Sequence, residues 1–229
     1  MAKVRIAGVI ISNDQKWIYD WFEMDSFCPN DLRKAITDEY ETIEVEINSG
    51  GGSVFAGSEI YTALKNHKGQ VNVNIVGLAA SAASVIAMAG KTVKMSPTAQ
   101  FMVHNVSAQG EGDYRDMQHM ADILKTANET IASAYILKTG KSKDEILAMM
   151  DKETWLTAEK AKEYGFIDEV MFTNDDSKFQ LVANFMPNII PTNVIEKMVK
   201  EKAQAELDIL KLRGEIQWTE KNIYRWEMH

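Results

Sequence analysis

The chain has 229 residues and a formal net charge of −8 at pH 7, and 45% of its residues are hydrophobic. This length is enough to bury a sizeable core, and no basic stripe offers a phosphate-binding surface, so nucleic acid is not an expected partner. The single cysteine, Cys28, cannot form an internal disulfide, and no Cys/His group has zinc-ligand spacing. These features predict a cytoplasmic protein without a bound metal.

The first predicted element is a strand at the apolar run from Ile6 to Ile11. The run is too short for the apolar region of a signal peptide, and no small-residue cleavage site follows it. A second strand is predicted over 42–48, TIEVEIN, where apolar and polar residues alternate. It ends at the glycine-rich stretch 49–53, SGGGS, which predicts a turn.

A helix is predicted from Val54 to Leu64 by apolar residues at helical spacing, and 71–76 alternates as a third strand. Residues 75–90, IVGLAASAASVIAMAG, carry no charge and only two hydroxyls. They fall short of the roughly 20 apolar residues that a membrane span requires. We therefore predict a buried helix with Ser81 near its start, and no membrane partner. The resulting βαβα series predicts an α/β fold.

The remaining elements of the predicted domain follow in chain order. They are strands at 92–95 and 101–104, a long helix at 113–139, a helix capped at Ser142 that runs to Met150, a helix from Thr157 to Gly165, and a strand at 166–170.

The composition changes after residue 172. Residues 173–192 contain two prolines and are predicted to be a linker, and 193–229 are predicted to be a helical tail. Apolar residues occupy heptad a and d positions along this tail, and Lys202 stands at one a position. The heptad comprises Ile195, Met198, Lys202, Ala205, Ile209, Leu212 and Ile216. The predicted organisation is therefore a domain at 1–172, a linker and a tail.

A serine and a histidine are the candidates for chemistry. A serine hydroxyl is a poor nucleophile until a base takes its proton, and that base needs a third group to orient it. Ser81 lies where the free N–H groups of a helix start favour developing negative charge. His104 ends a predicted strand at the rim of the same sheet. Spacing alone leaves the structural interpretation open for each of them, as a small core serine and a hydrogen-bonded histidine.

Four motifs, in this order, resemble those of the ClpP family of serine peptidases. They are NSGGG at 48–52, GLAAS at 77–81, MVH at 102–104 and WLTAEKAKEYGFIDEV at 155–170. The family carries Asn-Ser-Pro-Gly-Gly, Gly-x-Ala-Ala-Ser, Met-Val-His and a Leu-(Ser/Thr)-Ala segment that ends in Gly-(Leu/Phe)-x-Asp. The likeness extends over residues 4–172. It is nearest to the ClpP-like proteases of tailed phages and prophages, through Ala-Ala-Ser-Ala-Ala-Ser and Glu-Thr-Trp-Leu-Thr-Ala.

The resemblance implies a ClpP/crotonase-like α/β fold and a serine endopeptidase that acts through an acyl-enzyme and needs no cofactor or metal. It makes Ser81 the nucleophile and His104 the general base. The backbone N–H groups of Gly52 and Ala82 would form the oxyanion hole, with Gly51 beside them.

The chain departs from the family pattern at three places. The family's catalytic aspartate stands two residues before the aromatic of the last motif, and this register falls on Glu153, ahead of Trp155, with Asp151 near enough to compete. Gly50 replaces the proline of the first motif, which loosens the turn and keeps its N–H donors. The chain begins almost at the first strand, so docking of an ATP-driven unfoldase is not favoured.

One other serine and three other histidines could be taken for the catalytic residues, and we predict a structural or surface position for each. Ser84 lies one turn after Ser81 and is the competing candidate nucleophile; we predict that it packs within the helix. His67, His119 and His229 are predicted to lie at the surface.

The resemblance further implies a protein or peptide substrate and a homo-oligomeric ring, single or double, with the helix at 113–139 at the ring-ring contact. The favoured role is phage or prophage head maturation, in which the enzyme cuts a scaffold or capsid precursor. One alternative is a general degradation subunit fed by an unfoldase. Another is a catalytically inactive assembly protein that keeps the fold.

Overall fold

The structure is a computed structural model that describes residues 1–173 and 192–212. The chain divides into two compact units, 1–177 and 178–229, and each is described by itself.

The first unit is a largely parallel sheet with helical crossovers. Its elements are β1 (Ala2–Ile10), a 3-10 turn (Asn13–Gln15), α1 (Lys16–Trp21), β2 (Ser26–Phe27), α2 (Pro29–Ala35), β3 (Ile43–Gly52), α3 (Val54–Asn66), β4 (Val71–Ala80), α4 (Ala82–Ala87), β5 (Thr92–Met95), β6 (Gln100–Val103), α5 (Tyr114–Thr139), α6 (Lys143–Asp151), β7 (Thr154–Leu156), α7 (Ala158–Glu163) and β8 (Glu169–Val170).

The main path of the sheet runs β2-β1-β3-β4-β5-β8, and all of these pairs are parallel. Strand β4 serves two neighbours, because Asn72–Ile75 pairs with β5 whereas Leu78–Ala80 pairs with β6. Strand β6 in turn pairs antiparallel with β7. The carboxyl ends of β3, β4 and β6 therefore meet where β4 changes partner, which is where open α/β sheets usually bind ligands.

The core follows from the alternation that the sequence shows in its strands. In β3, Ile43, Val45 and Ile47 are fully buried, and Ile60 and Leu64 of α3 pack into the same core. Helix α4 is buried along its whole length, because its alanines let it lie close to the sheet. The predicted α/β fold class is confirmed.

The predicted helix at 75–90 is wrong in its first half. Strand β4 continues to Ala80, and α4 covers only Ala82–Ala87. The physical reason is pairing: Ala79 and Ala80 face Phe101 and Met102 in the ladder with β6 and are buried there. A continuous apolar run does not distinguish a buried strand from a buried helix, and only the neighbouring strand decides between them.

The predicted turn at 49–53 also differs from the structure, because β3 extends through Gly52. After a shift in register beyond Ala7, Val9 of β1 pairs with Gly51 and Ile10 pairs with Gly52. The glycine stretch is thus the carboxyl end of a strand. The sequence patterns also missed three elements before residue 36, namely α1, β2 and α2, and the short strand β7.

The described part of the second unit is helix α8 (Thr192–Leu212). Two residues of the predicted heptad, Met198 and Ile209, are 60% and 47% exposed. The predicted linker lies outside the described residues except at its two ends, and Ile216 also lies outside them. In the part of the chain that the structure describes, no helix is long and apolar enough to cross a membrane.

Candidate active site

Ser81 stands alone between the end of β4 and the start of α4, in a strained backbone conformation. Its φ of 55° and ψ of −126° are unusual for a residue with a side chain, and such conformations cost about 1–3 kcal/mol. The Ser81 N–H donates to the Met102 carbonyl at 3.2 Å, and the Ser81 carbonyl accepts from the N–H groups of Ser84 and Val85. Backbone contacts on both sides therefore hold the sharp turn, which presents the hydroxyl at the edge of the sheet.

His104 reaches Ser81 because their strands are neighbours in register. Ala80 pairs with Met102, so the residues that follow β4 and β6 emerge at the same edge. The His104 Nε2 atom lies 2.8 Å from Ser81 Oγ. This is the contact that a base needs to take the proton of a serine hydroxyl.

The glycine end of β3 lies directly against this turn. The φ of Gly51 is +95°, and a Cβ at this position would lie 2.7 Å from the Ala80 oxygen and 2.7 Å from Ser81 Cβ. The Gly51 N–H donates to Ser49 Oγ at 3.1 Å, and the Ser49 hydroxyl donates to the Gly8 carbonyl at 2.7 Å. Gly51 thus shapes the site through close packing, while its own N–H is engaged by Ser49.

Gly52 and Ala82 are the other two residues of the predicted oxyanion hole. Gly52 has a φ of +146°, and a Cβ there would lie 2.2 Å from the Ile10 carbonyl oxygen. That carbonyl accepts from the N–H of Ser53 at 2.8 Å. Ala82 is the first residue of α4, and N–H groups in a first helical turn have no partner within their own helix.

The two candidate acids do not contact His104. Glu153 accepts a hydrogen bond from Trp155 Nε1 at 3.2 Å, and Asp151 accepts one from Asn105 Nδ2 at 2.8 Å. Both carboxylates are exposed. Among residues 1–173, no carboxylate forms an ion pair with His104. The structure therefore brings together the serine and the histidine of the predicted triad, and it leaves the acid apart.

The backbone nevertheless distinguishes the two acids. Strands β6 and β7 pair Met102 with Trp155 and Val103 with Thr154. The ladder ends at this pair, and continuing its register by one step would place His104 opposite Glu153. The φ of Glu153 is +48°, so the strand breaks at this residue. The register thus favours Glu153 over Asp151, while the Glu153 side chain accepts a hydrogen bond from Trp155.

A small cavity of about 10 Å³ lies beside the Ser81 hydroxyl, and an open groove of about 620 Å³ lies next to it. Val54 and Ile131 line both of them. The cavity is also lined by Gly57, Ala82, Val85, His104 and Val106, and the groove by Phe55, Ser58, His119, Asp122, Ile123, Thr126, Ala127 and Thr130. Phe55 is 87% exposed. The sequence patterns did not single out this groove, because it joins the start of α3 to the middle of α5.

The other predicted residues take different places. Ser84 is fully buried and bonds to Tyr135 rather than to His104. His67 caps the end of α3 and bonds to the Glu41 carbonyl at 2.7 Å. His119 is exposed and lines the groove. His229 lies outside the described residues.

A serine and a histidine in hydrogen-bond contact, on a strained turn beside a glycine-rich strand end, define a serine hydrolase site.

The family model described as Clp protease matches residues 31–174. An ATP-dependent Clp protease proteolytic subunit of Bacteroides fragilis is 33% identical over 156 residues, which cover 65% of this chain and 75% of that protein. The ATP-dependent Clp protease proteolytic subunit 1 of Chlamydia abortus is 34% identical over 146 residues, which cover 62% of this chain and 76% of that protein.

The chain belongs to the Clp protease family and is a serine-type peptidase.

Proposed function

We propose that this peptidase cuts proteins or peptides with Ser81 as nucleophile and His104 as general base. The observation that carries the proposal is the 2.8 Å contact between His104 Nε2 and Ser81 Oγ. His104 takes the hydroxyl proton as Oγ attacks the scissile carbonyl, and it returns that proton to the leaving amine. Water then attacks the ester carbonyl of the acyl-enzyme with His104 again as the base. The bond between the acyl group and Ser81 Oγ breaks, and His104 returns the proton to Oγ as the acid product leaves.

The oxyanion of the tetrahedral intermediate needs donors that are in place before the reaction. We assign this role to the N–H groups of Gly52 and Ala82, because Ala82 begins α4 and the Gly51–Gly52 stretch lies against it. Gly51 supports them by allowing the close approach of β3 to the turn. Its own N–H is engaged by Ser49, which leaves it a shaping role.

Glu153 is the proposed third member of the triad. The β6–β7 register supports it over Asp151, since continuing that register by one step would place Glu153 opposite His104, with Asp151 two residues away. In this proposal the carboxylate leaves the indole of Trp155 and accepts from the far side of the imidazole. Its role there is to orient the ring and to stabilise the imidazolium.

The groove beside the cavity supports a peptide as the substrate. It joins the cavity next to Ser81 through Val54 and Ile131, and its lining is mostly apolar. A stretch of polypeptide laid in it would bury apolar side chains while its scissile bond faces the hydroxyl. We also propose that the chain works as a homo-oligomeric ring, single or double, as the family resemblance implies.

The proposed biological role is head maturation in a tailed phage or prophage, by cleavage of a scaffold or capsid precursor. The motifs Ala-Ala-Ser-Ala-Ala-Ser and Glu-Thr-Trp-Leu-Thr-Ala support this role through their likeness to phage ClpP-like proteases. The names of the two relatives support the alternative, a general proteolytic subunit that works with an ATPase. Portal and capsid genes beside this gene, and cleavage of the encoded capsid precursor by the purified protein, would favour maturation over the alternative.

Labelling with a fluorophosphonate tests the catalytic assignment. The wild-type protein should be labelled at Ser81 only, and Ser81→Ala should lose both labelling and peptide turnover while it keeps its thermal unfolding temperature. Ser84→Ala tests the competing candidate nucleophile, because this serine lies one turn away, and this variant should still be labelled at Ser81. Labelling that persists in Ser81→Ala and disappears in Ser84→Ala would overturn the assignment.

A further inference from the structure

Two buried hydroxyls connect the long helix α5 to the backbone of Ser81. The Ser84 hydroxyl lies 2.7 Å from the Ser81 carbonyl oxygen and 2.8 Å from the Tyr135 hydroxyl. Both side chains are fully buried. Fifty-one positions separate the two residues in sequence, so the contact exists only in the folded chain.

The direction of both hydrogen bonds follows from their chemistry. A carbonyl oxygen only accepts, so the Ser84 O–H donates to the Ser81 carbonyl. The Tyr135 O–H must then donate to Ser84 Oγ. Burial raises the pKa of the Tyr135 phenol, so this group is a protonated donor at neutral pH. The order of donation therefore runs from Tyr135 through Ser84 to Ser81.

These two hydrogen bonds, called the relay below, end at the Ser81 carbonyl. This carbonyl belongs to the peptide unit that carries the proposed oxyanion donor. The Ser81 carbonyl and the Ala82 N–H belong to the same planar peptide, and they point in opposite directions. Fixing the carbonyl therefore fixes the direction of the N–H. The direction of this peptide needs support because Ser81 has a strained backbone conformation. A strained turn keeps its shape only when the surrounding structure holds it.

We propose that Ser84 and Tyr135 are positioning residues for the oxyanion hole. Their hydrogen bonds hold the peptide between Ser81 and Ala82 in the orientation that aims the Ala82 N–H at the developing oxyanion. The inference rests on the proposed function, in which Ala82 is an oxyanion donor. It replaces the packing role that the sequence predicts for Ser84.

The relay acts on the transition state, because the oxyanion forms only when Oγ has attacked. Removing it should therefore lower kcat and leave KM unchanged. Each of Tyr135→Phe and Ser84→Ala should lower kcat about tenfold, which is the effect of losing one well-placed hydrogen bond. The measurement is steady-state turnover of a fluorogenic peptide by the full-length protein.

The unfolding temperatures of the variants distinguish a positioning role of Ser84 and Tyr135 from a role in packing alone. Ser84→Ala leaves the Tyr135 hydroxyl buried without this acceptor, so it should lower the unfolding temperature more than Tyr135→Phe does. The double variant removes both hydroxyls and should regain part of that temperature. Its kcat should stay as low as that of Ser84→Ala, because the Ser81 carbonyl still lacks the hydroxyl donor and keeps only the backbone N–H groups of Ser84 and Val85.

Two controls remove a hydroxyl elsewhere. Ser133→Ala deletes a hydroxyl of α5 that donates to the Glu129 carbonyl, and Tyr61→Phe deletes a phenol of α3. Both should keep wild-type kcat. A kcat that recovers together with stability in the double variant would overturn the positioning role, and so would an unchanged kcat in Tyr135→Phe. Turnover that survives in Ser81→Ala would overturn the proposed function itself, which is a separate result.

Discussion

The turn that carries Ser81 and the segment that carries Glu153 are held in opposite ways. Backbone hydrogen bonds fix the Ser81 turn from β6 and from α4, and its surroundings are buried. Glu153 is exposed and directly precedes β7, and its carboxylate accepts a hydrogen bond from the indole of Trp155 in that strand. One region is shaped by the main chain of three strands. The other depends on where a single side chain points.

This difference explains which part of the site is already assembled. The Ser81–His104 contact needs only the pairing of β4 with β6, which the whole sheet enforces. In the proposed triad, Glu153 would give up its exposed hydrogen bond to Trp155 in order to contact His104, and the loss of one exposed hydrogen bond is a small change in energy. We therefore expect substitutions at the turn to change the shape of the site, and substitutions at the acid to change mainly its electrostatics.

The largest expected effect is at His104. Replacing it with alanine should lower kcat about 10³-fold or more, because an unassisted serine hydroxyl is a poor nucleophile. His67→Ala is the matched control and should stay within a few-fold of wild type, because His67 lies at the end of α3 and bonds to the Glu41 carbonyl. Peptide turnover measures both variants. Full activity without His104 would point to a different base, such as a lysine.

The glycine-rich end of β3 tests whether the main chain around the Ser81 turn must keep its shape. Gly51→Ala should lower kcat about 10²-fold, because its Cβ would press against the Ala80 carbonyl and move the oxyanion donors. It should also lower the unfolding temperature. Gly50→Ala should be silent in both measurements, since a Cβ there has nothing within 4 Å. Equal effects of the two substitutions would show that the turn tolerates displacement.

Substitutions at the candidate acids should lower kcat less than the substitution of His104. Glu153→Gln should lower kcat by about 10- to 100-fold by leaving the imidazolium uncompensated, a smaller loss than at His104 because the carboxylate is exposed. Asp151→Asn should have a smaller effect. Trp155→Phe removes the competing indole N–H and should leave kcat at or above the wild-type value. If Asp151→Asn proves the more damaging change, the acid lies two residues earlier than we assign it.

The smallest effect on the site should come from removing the tail. Truncation after Phe172 should leave Ser81 reactive toward a fluorophosphonate and shift the protein to smaller oligomers. The reason is the exposed stripe of α8, where Met198 and Ile209 offer an apolar edge that a second helix can cover. Light scattering on the full-length and truncated proteins measures the change. An unchanged oligomer would indicate that the tail folds back onto its own subunit.

The sequence by itself determined the parts of this protein that depend on local pattern. The caps at Ser142 and Thr157 follow from side chains within one turn of each other, and the period of the apolar residues predicts the long helix at 113–139. Alternation predicted the inner strands of the sheet. The motif around Ser81 identified the candidate nucleophile and the resemblance that goes with it.

Tertiary structure decided what local pattern leaves open. The stretch before Ser81 is a strand because β3 and β6 pair with it, whereas an apolar run alone fits a helix equally well. The choice of Glu153 over Asp151 depends on the register between β6 and β7. The bond from Tyr135 to Ser84 joins residues from distant parts of the chain. Each of these is a contact between segments that are far apart in sequence, and its energy appears only when the sheet and α5 have come together.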